Sequence, residues 1–313
     1  MGLDIGILIF GYNRPELLEK QILFAVGTEL NVYVNLDGPR EESLEANNRC
    51  AEIIEKYKSR IRDSSINSIN KGCNLAVTEG ITWAFEYEDA LIILEDDVMV
   101  DHSFLKFAST MLNFYELDKN IGGISAINLV PKEYLTNAIL DHRATCFTSS
   151  WGWATWKDRW NSHLQISHLF PIWRWDFPNN FWTPIKKSVW ESFFVKTKDG
   201  VYDAWDFRWQ HSNWVNQKLT IIPNMNLGLN LGFGPEATHT HATVKPHWLP
   251  IEIEQLPSIL KKRNSITCDL RADEWMAKNH YGATANNYLK IRLGAIFPFL
   301  KIMNLWVKRT RKR

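Results

Sequence analysis

The chain has 313 residues, with 36 Lys and Arg against 35 Asp and Glu for a formal net charge of +1, and it is 45% hydrophobic and 13% aromatic. This supplies core material for one large domain or two in a globular, enzyme-sized protein, and near-neutrality excludes recruitment of nucleic acid by overall charge. The four cysteines, Cys50, Cys73, Cys146 and Cys268, stand far apart with no Cys-x-x-Cys or Cys/His grouping. Neither a zinc site nor a disulfide framework is therefore expected, and a reducing, cytoplasmic setting is.

The opening MGLDIGILIF lacks a basic leader and its apolar run is too short for a signal peptide; Gly6 also stands where a myristoylation motif at Gly2 needs Ser or Thr. Ile5 to Phe10 is a nearly continuous apolar run, the pattern of a strand buried on both faces. Pro15 suits the first turn of a helix whose Leu17, Leu18, Ile22 and Leu23 recur at helical spacing. A second strand, Val32 to Leu36, reaches the turn Asp37-Gly38-Pro39 before helical stretches at Leu44 to Tyr57 and Leu75 to Phe85.

Leu91 to Val100, LIILEDDVMV, sets Glu95, Asp96 and Asp97 side by side in an apolar run. Adjacent carboxylates repel one another and are costly to desolvate, so their place between two apolar halves of one element calls for a compensating partner. The simplest is a divalent cation such as Mg2+ or Mn2+, which takes one or two carboxylates together with substrate phosphates. The plain alternative is a solvated acidic turn.

Alternating strands and helices over the first hundred or so residues predict an α/β layer with a mostly parallel sheet. Ligands in such sheets bind beyond the carboxyl ends of the strands, so Asn13, Arg14, Asp37 and the acid triplet share one edge.

The second half is tryptophan-rich: eleven of the fifteen lie between Trp151 and Trp214. Indole faces stack on sugar C–H faces and indole N–H groups donate to hydroxyls, although more than half of these rings are expected simply to fill a core. Leu219 to Pro223 reads as another strand, and NMNLGLNLGFGPEATHTH as a glycine-rich loop in which Gly228, Gly232 and Gly234 permit unusual backbone conformations. From Lys290 to Arg313 there are eight basic residues and no acids. Arg292, Pro298 and Lys301 interrupt the apolar stretch, which leaves a basic amphipathic helix on an anionic bilayer, at the inner face of the membrane, or a helix packed on its own domain.

Taken in order, FGYNRPELL, VNLDG, NKGCNLAVTEGITWAF and ILEDDV resemble the GT-A-fold nucleotide-sugar glycosyltransferases, and more narrowly the branch with the N-acetylglucosaminyltransferase that initiates complex N-glycans and its bacterial relatives. The resemblance runs from about Ile5 to His241. It implies a GT-A fold, Rossmann-like with a mostly parallel central sheet flanked by helices, plus a helical C-terminal extension. Residues 1–245 would be the catalytic domain, with a nucleotide-sugar half at 1–130 and an acceptor half at 131–245; 246–289 would be the extension and 290–313 the basic tail.

The resemblance also implies roles. Asp97 would touch Mn2+ or Mg2+, with Glu95 and Asp96 facing sugar, ribose or metal-bound water. Asp37 would read the uracil, and Asn13, Arg14 and Asn70 would join the nucleotide contacts; for Arg14 a surface ion pair near a helix start is the plain alternative. The segment SSWGWATW, with Trp153, corresponds to the family's Gly-Trp turn, and Ala204-Trp205-Asp206 to its Trp-Asp motif. There the tryptophan packs on the sugar and Asp206 is the catalytic base of an inverting transfer. Asp203 is the second candidate, and either acid could instead cap a helix. Phe207 stands where the family often has another acid. The stretch GFGPEATHTH resembles the family's mobile loop, with Thr238 and His239 at its polar end, and His241 is a weaker metal-ligand candidate by its i, i+2 spacing from His239.

The expected activity is thus transfer of a sugar from a nucleotide diphosphate, a UDP-sugar first, to a glycan or lipid-linked glycan. A nucleotidyltransferase would show a basic, glycine-rich triphosphate loop where this chain has FGYNRP. A non-catalytic carbohydrate-binding protein leaves the acid triplet and Asp206 without a task.

Overall fold

A computed structural model describes residues 2–232, 246 and 248–293. The chain begins with β1 (Ile5–Gly11), α1 (Pro15–Ala25), β2 (Asn31–Leu36), α2 (Leu44–Lys56), β3 (Asp63–Ile66), α3 (Cys73–Ala84) and β4 (Ala90–Glu95). Then come β5 (Val98–Val100), α4 (His102–Tyr115), β6 (Ile121–Ser125), β7 (His142–Thr145), β8 (Trp153–Trp156), α5 (Lys157–Ser167), α6 (Pro184–Lys198) and α7 (Asp206–Val215). β9 (Leu219–Pro223), β10 (Gly228–Asn230) and α8 (Leu270–Asn279) follow.

Eight strands form one sheet in the order β3-β2-β1-β4-β8-β6-β9-β7. The first four are mutually parallel. Beyond β4 the sheet is mixed: β8 runs antiparallel to both β4 and β6, β9 is parallel to β6, and β7 antiparallel to β9. The fold is α/β with helices on both faces, and the period of two along each strand decides which face a residue serves. Ile7 and Ile9 of β1 face Leu18 and Ile22 of α1, Ile54 of α2 and Phe104 of α4 in one core. Leu8 and Phe10 face the other, with Val77 and Ile81 of α3, Trp160 of α5 and Trp209 of α7.

The acid-bearing run departs from expectation in one respect. LIILEDDVMV is not a single element: the chain turns at Asp96 and Asp97, and β5 leaves the main sheet to pair antiparallel with β10. The acids thus sit in a turn between two sheets, where backbone geometry can aim them into a cleft.

Trp153, Trp156, Trp160, Trp190, Trp205, Trp209 and Trp214 are all buried, so most of the tryptophan cluster is core. At the C-terminal side, α8 packs Ala272, Trp275 and Met276 against the first core, and the chain is helical again from 285 to 293. Among the described residues no helix is long and apolar enough to cross a membrane. The expected basic tail from 294 onward lies outside the described residues.

Candidate active site

A cavity of about 320 Å³ opens at the carboxyl ends of β1, β2 and β4, lined among others by Asn13, Arg14, Asp37, Asn70, Glu95, Asp96, Asp97 and Asp203. Parallel strands place these loops together because every strand ends on the same side. The β1 and β2 ends are locked by Asn47 of α2, whose buried amide donates to the Tyr12 carbonyl at 2.7 Å and the Asp37 carbonyl at 2.8 Å.

Asp37 organises the wall. Its carboxylate accepts from the backbone of Gly38 at 2.9 Å, Lys71 at 3.0 Å and Gly72 at 3.2 Å, and from the Asn70 amide at 3.0 Å. Gly38 permits this arrangement, because a Cβ there would lie 2.2 Å from the carbonyl carbon of Ile69.

The acid turn is held from behind by Gln21 of α1, whose side chain donates to the carbonyls of Glu95, at 3.3 Å, and Val98. In front of it, Arg14 Nη1 donates to Asp96 Oδ1 at 2.9 Å and to Asp97 Oδ2 at 2.7 Å. One guanidinium does not neutralise three carboxylates. Burial, with Asp97, Asp96 and Asp206 nearby, raises the Glu95 carboxyl well above its usual range despite Arg14. Burial and then Asp97 raise Asp96 to about 7, opposed by Arg14 and by the Tyr12 backbone N–H. The arrangement calls for further positive charge.

Asp97 Oδ1 is buried and, among the described residues, has no hydrogen-bond partner, an oxygen suited to a hard cation. The chain passes directly over this carboxylate: Leu231 N donates to the Asp97 carbonyl at 2.7 Å, and a Cβ on Gly232 would lie 2.1 Å from Asp97 Oδ2. Gly232 is needed for close approach, since its backbone is not in the left-handed region. Among the described residues the acid triplet does not gather three ligand atoms within 4.8 Å. A cation here would lean on one or two carboxylates and on oxygens of its substrate, the usual habit of Mg2+.

The two aspartates flanking Trp205 separate in role. Both oxygens of Asp203 are engaged with the start of α3: Oδ2 accepts from Cys73 N at 2.8 Å and Oδ1 from Asn74 N at 3.0 Å. This is a helix cap supplied from a distant loop rather than to its own helix. Asp206, the first residue of α7, lines a second cavity of about 210 Å³ together with Phe207, Gln210, Trp190, His280 and Tyr281. Its charge acts on Glu95 at the first cavity and on Tyr281 at the second. Trp151 lines both cavities.

Trp153 and Trp205, expected at the sugar, line neither cavity. They are 2% and 4% exposed and stack on each other, with ring centroids 5.2 Å apart, in the core beneath the site. Trp153 belongs to β8, all four residues of which are buried, and it faces the second core. Thr238, His239 and His241 lie outside the described residues. Gln21, Asn47, Trp151 and Gly232 were not singled out beforehand as site residues. Only Gln21 carried a usable signal, a polar side chain three residues after Leu18 on the apolar face of α1.

No protein-family model and no curated protein matches the chain. It is similar to a mannosyltransferase from Pyrobaculum calidifontis in complex with GDP-Man and Mn2+, with 11% identity, a TM-score of 0.38, and coverage of 69% of this chain and 70% of that one. It is also similar to residues 1–349 of S. aureus TarS, at 13% identity and a TM-score of 0.44 over 75% of this chain and 61% of that one. A third structure is GalNAc-T7 with UDP, GalNAc and Mn2+, at 11% identity and a TM-score of 0.45 over 71% of this chain and 43% of that one. The chain thus spans less than two thirds of TarS 1–349 and of GalNAc-T7, and at these scores the likeness bears on neither substrate nor mechanism.

Proposed function

We propose that this chain is a metal-dependent, inverting glycosyltransferase of the GT-A type that moves a sugar from a nucleotide diphosphate, a UDP-sugar first, to a hydroxyl of a glycan or lipid-linked glycan. The observation that supports it most is the meeting of Asp37, Arg14 and the acid turn in one cavity, with Asp206 on the adjoining one.

In this reading Asn13, Asp37 and Asn70 receive the nucleoside, and Arg14 stands beside the diphosphate. Asp97, whose buried Oδ1 lacks a hydrogen-bond partner among the described residues, would hold Mn2+ or Mg2+, flanked by Glu95 and Asp96. When bound, the ion would act as a Lewis acid for the departing diphosphate. The second cavity receives the acceptor against Trp151, and Asp206 takes the proton of the attacking hydroxyl. The remaining basic tail, 290–313, is assigned to an anionic membrane surface near a lipid-linked acceptor.

Hydrolysis of UDP-, GDP- and dTDP-sugars with and without Mn2+ tests the reaction. Metal-dependent release of nucleotide from one donor, abolished in Asp97→Ala, is expected; silence across all three would favour a carbohydrate-binding protein. Deleting 290–313 should release the protein from anionic liposomes, and unchanged sedimentation would remove the membrane assignment.

A further inference from the structure

Two of the cysteines that look isolated in the sequence, Cys146 and Cys268, meet in the fold. Cys268 forms a parallel bridge with Ala144 at the end of β7, and Asp269 N donates to the Ala144 carbonyl at 2.9 Å. This brings Cys268 against Cys146, and Asp273 in the first turn of α8 reaches the same point. The two thiols and the carboxylate offer ligand atoms that all lie within 4.8 Å of one another, the only such set of three among the described residues.

Their surroundings suit a cation better than an ordinary core packing point. Asp273 is fully buried yet makes no salt bridge within 4.0 Å among the described residues; it accepts from the Thr145 hydroxyl, from Cys146 N at 3.0 Å and from the Cys146 thiol, bonds that fix its orientation beside the thiols. Nearby, Arg143 is 7% exposed and donates to neutral oxygens of Pro223, Asn224 and Asn128, while the acids acting on its charge are Asp273 and Asp269. Cys146 is buried and Cys268 half-buried, so the pair is reached from the Cys268 side.

We propose that Cys146, Cys268 and Asp273 form a binding site for a thiophilic divalent cation, zinc by the softness of its donors, that ties the C-terminal extension to the central sheet. Thiolate and carboxylate donors in a compact set are a zinc pattern, with a solvent molecule completing four-coordination. Two thiolates on one tetrahedral zinc stand about 3.8 Å apart for bonds of about 2.3 Å, so side-chain rotation is enough to close the set. As each sulfur–metal bond forms, the thiol proton passes to solvent. Three anionic donors around a divalent ion leave one net negative charge, which the buried Arg143 guanidinium offsets.

The site stands apart from the acid turn and does not depend on the proposed reaction. Its consequence is structural: α8 carries Met276, and His280 and Tyr281 follow it, all lining the second cavity. A cation at its first turn would brace that wall.

The test is titration of the reduced full chain with Co2+, read by sulfur-to-cobalt charge-transfer absorption, followed by competition with Zn2+. The expected result is one equivalent per chain with thiolate bands displaced by zinc, kept in Asp97→Ala and weakened by about a hundredfold or more in Cys268→Ser. Cys146 is buried, so Cys146→Ser could fail to fold; the Cys268→Ser variant at the half-buried position keeps the test decisive. Absence of thiolate bands, bands unchanged in Cys268→Ser, or recovery of a Cys146–Cys268 disulfide in the purified chain would each overturn the proposal.

Discussion

Arg14 and Asp97 meet at 2.7 Å through a single guanidinium nitrogen that also reaches Asp96 at 2.9 Å. Among the described residues the acid turn therefore carries one cation of its own, from the start of α1, and this contact sets how strongly the turn attracts another. At an effective dielectric of about 20, a unit charge roughly 4 Å away is worth about 4 kcal/mol, so Arg14 and a metal ion at Asp97 oppose each other.

Replacing Arg14 by Met should accordingly tighten Mn2+ binding without nucleotide, on the order of tenfold at pH 8 after solvent screening. Donor affinity in the presence of saturating Mn2+ should fall instead. Calorimetric titration of both ligands reads the split; parallel weakening of both would mean that Arg14 serves only to shape the turn.

The acid turn also sets a pH dependence. Asp96 is raised to about 7 by burial and by Asp97, above the unfolded carboxylate value of about 4. The folded chain thus holds this proton more tightly than the unfolded chain. The resulting stability is present below the unfolded value and is lost as pH rises through about 7, because burial and Asp97 outweigh the ion pair with Arg14. Asp96→Asn should therefore gain stability over the parent between pH 5 and pH 8 in metal-free buffer, measured by urea unfolding. Mn2+ affinity of the parent should rise over the same window as protons cease to compete.

Gly232→Ala tests the roof over Asp97. The added methyl would fall 2.1 Å from Asp97 Oδ2, so either the carboxylate rotates or the backbone at 231–232 lifts. Mn2+ affinity should drop by about tenfold or more, equivalent to about 1.4 kcal/mol, with little change in thermal midpoint. A fall in midpoint with metal affinity intact would show that the segment yields and the acid does not.

Asp203 and Asp206 should part on different axes. Removing the cap on α3 with Asp203→Ala should cost about 1–2 kcal/mol of stability. Asp206→Asn should leave the fold and donor affinity near the parent and lower kcat by about 10²–10⁴. Denaturant midpoints beside single-turnover rates distinguish them, and equal catalytic loss in both would mean the base has been misassigned.

Much of the first half was legible in the order of the residues. Apolar runs of strand length, Pro15 at a helix start and the Asp37-Gly38 turn mark β1, α1 and β2 because each depends on neighbours within a few positions. The same locality put Asp37 and the acid triplet on one sheet edge, since successive parallel strands must end together. Short strands such as β3, β7 and β8 carried no such mark. His142–Thr145 is a polar-looking tetrapeptide whose burial comes from β9 beside it and α8 above.

What a side chain faces was decided only by the tertiary structure. Trp153, the first residue of β8, is buried, while Trp151, outside the strand and separated from it by Gly152 at a φ of 72°, lines both cavities. Asp203 caps α3 because a loop some 130 residues away folds back onto it. Cys146 and Cys268 meet only when the C-terminal extension lies along β7. Local sequence specifies periodicity and turns, which short-range sterics enforce; which distant group satisfies a buried charge or thiol follows from how the layers pack.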